Sequence, residues 1–125
     1  MKTYQVIAQT LQAIENCRQS GNQEWLDRHE ERLHDILEDF PSGSGFDNGT
    51  KLDEDRSTPN RLIFTTAFHH MNEGGMYDGW TDHEVIVTPD LAFGFVLRIT
   101  GRDRNQIKDY IGEMFHYCLS ADVAE

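Results

Sequence analysis

The chain has 125 residues, 38% apolar and 10% aromatic, which suits one compact domain around a single core and not a disordered chain. Its formal net charge is -11, and Asp plus Glu outnumber Lys plus Arg in residues 1–40, 41–60, 61–100 and 101–125 alike. A body negative throughout repels nucleic acid and anionic membranes and is drawn to basic surfaces, so direct nucleic-acid or membrane binding is excluded and a basic protein partner is expected.

Residues 1–40 read as a helical hairpin. Tyr4, Ile7, Leu11 and Ile14 recur at steps of three and four, with Val6 and Cys17 widening the stripe, as in a helix that buries one face. The first residues are polar and mixed, without the apolar run of a signal peptide or membrane helix, so a cytoplasmic location is expected. Ser20-Gly21-Asn22 breaks the first helix and Asn22 caps the second, whose stripe is Trp25, Leu26, Leu33, Ile36, Leu37 and Phe40 before the stop at Pro41. Between these positions lie Glu24, Asp27, Glu30, Glu31, Asp35, Glu38 and Asp39, either a solvated face or an acidic binding face in which Glu30, Glu31 and Asp35 are the contact residues. Cys17 and Cys118 lie in apolar stripes, far apart and without a CxxC pair, and read as reduced core thiols.

Residues 41–60 are dense in turn formers and read as a long loop, a contact surface by its length. Ser42-Gly43-Ser44-Gly45 lacks the adjacent cation of a phosphate cradle and the GxSxG spacing of a nucleophile elbow. Three strands of an antiparallel sheet follow within residues 61–100, at Leu62 to His69, Glu84 to Thr88 and Phe93 to Thr100, with Thr88-Pro89-Asp90 as a tight reversal between the last two. Asp103 and Gln106 have capping-box spacing, and Ile107, Tyr110, Ile111, Met114, Phe115, Cys118 and Leu119 form the stripe of a helix over residues 102–120 that covers the sheet. The expected fold is a single α+β domain of order ααβββα, with Leu11, Leu33, Leu37, Phe64, Val85, Val87, Phe95, Leu97, Ile111 and Phe115 in its core. Its last five elements repeat the order of the double-stranded-RNA-binding domain, but the acidic balance opposes that activity, and Arg98, Arg102, Arg104 and Lys108 read as helix-end solvation.

The connector from Phe68 to His83 is the richest in side-chain chemistry. His69, His70, Asp78 and His83 are of the residue types that hold zinc, iron or manganese, yet adjacent histidines on a strand point to opposite faces and no HExxH spacing accompanies them, so neither metal nor cofactor is expected. Gly74-Gly75 and Asp78-Gly79 shape a hairpin tip, with Met76, Tyr77 and Trp80 among Glu73, Asp78 and Asp82. Aromatics and Met on such a tip are the make-up of a protein contact hot spot, although Trp80 also suits a core anchor.

Phe68-His69-His70-Met71, Asp78-Gly79-Trp80-Thr81 and Thr100-Gly101-Arg102-Asp103-Arg104-Asn105, after Pro41-Ser42-Gly43-Ser44-Gly45-Phe46-Asp47, resemble the phrasing of small proteins carried by bacteriophages and other mobile elements, over about residues 41–120. The resemblance implies a context, that of small acidic inhibitors of host defence, among them anti-CRISPR proteins and DNA mimics. It transfers no site residue. The leading expectation is therefore a non-enzymatic module that occupies a basic, nucleic-acid-binding surface of a host protein. A small metal-dependent hydrolase or nuclease and an accessory or assembly protein are the alternatives, and a homodimer is left open.

Overall fold

The computed structural model of the chain describes residues 1–38, 50–101 and 104–123, with 67–71, 80, 104–108 and 110 described by backbone alone. It is an α+β fold: α1 (Thr3–Ser20), α2 (Gln23–Leu37), β1 (Thr50–Leu52), β2 (Leu62–Met71), β3 (Tyr77–Asp90), β4 (Gly94–Thr100) and α3 (Arg104–Ser120). The strands form one antiparallel sheet in the order β1-β2-β3-β4. Among these residues no helix is long and apolar enough to cross a membrane.

The helices form where the apolar spacing and caps agree. Val6, Ile7, Leu11 and Ile14 of α1 are buried, and Gly21 ends that helix at φ 73, a left-handed conformation that glycine adopts without a Cβ penalty. The Asn22 side chain accepts a hydrogen bond from the Trp25 N–H at 3.3 Å and so caps α2. Trp25 departs from the expected stripe. It is 49% exposed, with the Arg28 guanidinium 5.0 Å from its ring, and Leu33 is the α2 side chain that the core encloses fully. Phe40, the 42–47 segment, Arg102 and the Asp103 cap lie outside the described residues.

All three helices pack on one face of the sheet. Ile7, Leu11, Leu33, Ile111, Phe115 and Leu119 meet Phe64, Val85, Val87 and Phe95, while Leu37 and Leu97 are packed against this cluster and partly buried. The Phe64 and Phe115 rings meet edge to face at 5.4 Å. A second ring column runs from Tyr4 through Phe95 to His116, at centroid distances of 4.9 and 4.8 Å. Cys17 and Cys118 are each partly buried and are not joined in a disulfide.

Three expectations about strands are corrected. Thr50–Leu52, inside the expected loop, is an edge strand paired with Phe64, Thr65 and Thr66 of β2, which also removes the likeness to a three-stranded RNA-binding order. Thr88, Pro89 and Asp90 continue β3 opposite Val96, Phe95 and Gly94, and the reversal falls at residues 91–93. Proline is tolerated because β2 ends at the Leu62–Val87 rung, so the missing Pro89 N–H faces no strand there. Phe93 consequently sits in the turn, 78% exposed, while Phe95 is buried.

The opposite face carries a small polar clasp. The Asp53 N–H donates to the Ile63 carbonyl at 2.8 Å and the Ile63 N–H donates to Ser57 Oγ at 2.9 Å, which ties the 53–57 turn to β2. From this turn Arg56 donates to Asp53 at 2.7 Å and to Glu84 of β3. The hydrogen bond from Arg56 holds the Asp53 carboxyl below the ordinary carboxylate value. A carboxyl lowered in the fold stabilises the protein above its unfolded pKa, and that contribution disappears as pH falls through the lowered value. Acid unfolding should therefore begin at a higher pH in Asp53→Asn than in the parent, while the two agree near neutrality apart from a constant offset; circular dichroism across an acid titration reads this. Superimposable acid limbs would show that the clasp contributes nothing.

Candidate functional site

The sheet is not uniform along its length. β1 reaches β2 only as far as Thr66, and β4 reaches β3 only as far as Glu84. Beyond those rungs, among the described residues, β2 and β3 pair only with each other, through Ala67–Asp82, Phe68–Thr81, His69–Trp80 and Met71–Tyr77. The result is a two-stranded arm. At about 3.4 Å per residue its end stands roughly 20 Å beyond the His83 rung.

The end of the arm is built by Asn72. Its Oδ1 accepts the N–H groups of Gly74 and Met76, both at 3.0 Å, and its own N–H donates to the Met76 carbonyl at 2.8 Å. Gly75 takes φ 76 inside this turn and Gly79 takes φ 86 on the returning strand, both in the region glycine favours. The turn presents Met76, 68% exposed, and Tyr77, 55% exposed. Glu73, Asp78 and Asp82 are also exposed. No Lys or Arg stands between Arg61 and Arg98 in the sequence, so the arm carries carboxylates with no cation of its own. Trp80 lies opposite His69 on the backbone ladder, and its side chain is outside the described residues.

The acidic residues of α2 divide into two groups. Glu30 is half-buried and faces Arg18 of α1 at 3.5 Å, which links the two helices. Glu31 and Asp35 are exposed, and with Asp27 they stand at successive steps of four, on one side of the helix. Like charges at that spacing destabilise a helix by a few tenths of a kcal/mol per pair, so this row lowers α2's own stability. The α2 row and the arm are separate places: α2 packs on α1 and touches β1, whereas the arm leaves the sheet past β1.

A third acidic feature was not legible in the sequence. Glu15 of α1 and Glu54 and Asp55 of the following turn line an open groove of about 540 Å³ together with Arg18 and Gln19. Residues some 40 positions apart meet there only because the 53–57 turn folds back towards α1, and no spacing pattern announces it.

Of the residues singled out for metal, His83 and Asp78 lie apart on one strand. His83 is buried at 1% exposure, opposite Thr66 and against Gly101. Asp78 is five residues away on the same strand, about 17 Å at strand rise, and His69 is three rungs away, about 10 Å. The longer of these separations is beyond the reach of a His and an Asp side chain on one ion, so His83 and Asp78 share none, and the His69 side chain is outside the described residues. His70 falls at the register shift between His69 and Met71, and its side chain is outside the described residues. Among the described residues no group of three His, Cys, Asp or Glu side chains is close enough to hold a metal ion.

No family model, curated protein or solved structure matches the chain. The arm and the acidic surfaces are therefore read on their own chemistry.

Proposed function

We propose that the protein is a binding module which occupies a basic, nucleic-acid-binding surface of another protein and so competes with nucleic acid for it. The observation that carries this reading is the two-stranded arm, where exposed Met76 and Tyr77 stand among Glu73, Asp78 and Asp82 without a balancing cation. Long-range attraction from the acidic body speeds encounter with a basic surface, and the apolar end of the arm supplies the desolvated contact that charge alone lacks. The exposed row Asp27, Glu31 and Asp35 supports the same reading, because its mutual repulsion is a cost to folding that a cationic partner offsets. An inhibitor of a host nucleic-acid-binding protein is the biological role this chemistry serves.

The test starts from the partner recovered with the intact protein. Its complex should weaken as salt rises and be displaced by nucleic acid. Tyr77→Ala should speed dissociation by roughly thirtyfold, the loss of one interface anchor, with little effect on association. Glu31→Lys should instead slow association with little effect on dissociation, and raise the melting temperature because two repulsions at steps of four become attractions worth about 0.2–0.5 kcal/mol each. Unchanged kinetics in both variants, with no salt dependence, would refute the proposal.

A further inference from the structure

One side of the molecule breaks the acidic pattern. From Thr3 to Ile14 α1 contains no charged residue, and neither does the stretch from Leu91 to Leu97. The fold brings these two stretches together around an open groove of about 670 Å³, whose walls include Tyr4, Ala8 and Gln12 on one side and Leu62, Val87 and Pro89 on the other. Among the described residues that line it, Asp90 alone has a charged side chain, and its Oδ1 is occupied by the N–H groups of Ala92 at 2.8 Å and Phe93 at 3.1 Å. The groove is thus apolar and amide-lined, in a chain of net charge -11.

Beside the groove stand side chains that the monomer leaves in water. Leu91 is fully exposed, Phe93 is 78% exposed and Met1 is 52% exposed. Met1 and Leu91 line the groove and Phe93 shares the Leu91 turn, so the three are not scattered surface residues. The turn that bears Leu91 and Phe93 is fixed by Asp90, so these side chains are presented by an ordered element.

We infer that this face is the contact between two copies of the chain, with the Leu91 and Phe93 turn of each copy seated in the groove beside α1 of the other. The choice of occupant follows from charge. A basic protein gains most at the acidic surfaces and gains nothing electrostatic here, whereas a second copy is itself strongly acidic and is repelled wherever carboxylates would face each other. The neutral face is where that repulsion is least. Knob and hole adjoin on the same surface, which is the arrangement a two-fold interface needs, since each patch must complement itself. The arm lies outside this contact, so the pairing would present two arms and does not depend on the proposed competition with nucleic acid.

Sedimentation equilibrium of the intact protein tests this directly. A concentration-dependent dimer is expected, and it should tighten as salt rises because screening relieves the repulsion between the two acidic bodies, the opposite of the trend for a basic partner. Leu91→Lys and Gln9→Glu each alter an exposed side chain and leave the core alone; each should weaken self-association by roughly thirtyfold or more, with unchanged circular dichroism and melting at monomer concentrations. Mixing the two variants should restore dimer, since the new lysine of one copy then meets the new carboxylate of the other. A monomer at every concentration and salt, or a dimer indifferent to both substitutions, would overturn the inference.

Discussion

Gly101→Ala is expected to destabilise the protein by at least about 3 kcal/mol, adding the strain of a disfavoured backbone conformation to the cost of overpacking. Gly101 directly follows β4 with φ 132, where residues other than glycine are strained. A Cβ there would lie 2.1 Å from Cδ2 and 2.8 Å from Nε2 of His83. That imidazole is 1% exposed and stands opposite Thr66 on the core side of the sheet, so it has no solvent to retreat into. The loss should appear as a fall in melting temperature of more than about 10 °C. His83→Ala in the same background should recover part of it, because the smaller side chain removes the clash and leaves only the strain. A double variant no better than the sum of its parts would place the damage somewhere other than this contact.

The second large effect is expected at Phe115, where truncation to alanine should cost about 3–5 kcal/mol. Its ring is fully buried and meets Phe64 edge to face, joining α3 to the middle of the sheet. Phe93→Ala provides the contrast. The residue type is the same, but its ring is 78% exposed in the turn between β3 and β4, and at monomer concentrations its loss should leave stability within about 0.5 kcal/mol of the parent. Chemical denaturation of the two variants measures the difference, and equal midpoints would mean that the core has been misplaced.

The contrast between these phenylalanines also explains what the sequence revealed. Period was a sound guide wherever one element buries one face: Ile7, Leu11 and Ile14, Ile111 and Phe115, and Phe64, Val85 and Phe95 all lie where their spacing puts them. It misled at Phe93, where strict alternation was carried past the end of a strand into a turn. It was silent at Thr50-Lys51-Leu52, since three residues are too few for a period and their pairing with β2 is decided by tertiary contact. Pro89 read as a turn residue because the sequence does not disclose where the neighbouring strand ends. The hairpin around Gly74-Gly75 was legible from its glycines, but not that its strands outrun both neighbours to form an arm. Likewise Glu31 and Asp35 were readable as exposed, whereas the Arg18–Glu30 clasp and the groove of Glu15, Glu54 and Asp55 depend on how distant segments meet.

The two ends of the described chain run side by side. The Thr3 N–H donates to the Ala121 carbonyl at 2.9 Å, the Val123 N–H donates to the Met1 carbonyl at 3.0 Å, and Lys2 reaches Asp122 at 3.2 Å. These bonds link residues 118 or more positions apart, so the loop they close is nearly the whole chain and its entropic cost is the largest any contact here must overcome. They should accordingly form late in folding and open early in the native state, with the Thr3 and Val123 amides exchanging faster than those of Phe64 or Val85. The same proximity makes the backbone almost a ring. A short linker from residue 123 to residue 1 and a break between Gly74 and Gly75 would yield a circular permutant in which the seam of the fold becomes covalent and the arm becomes its pair of loose ends.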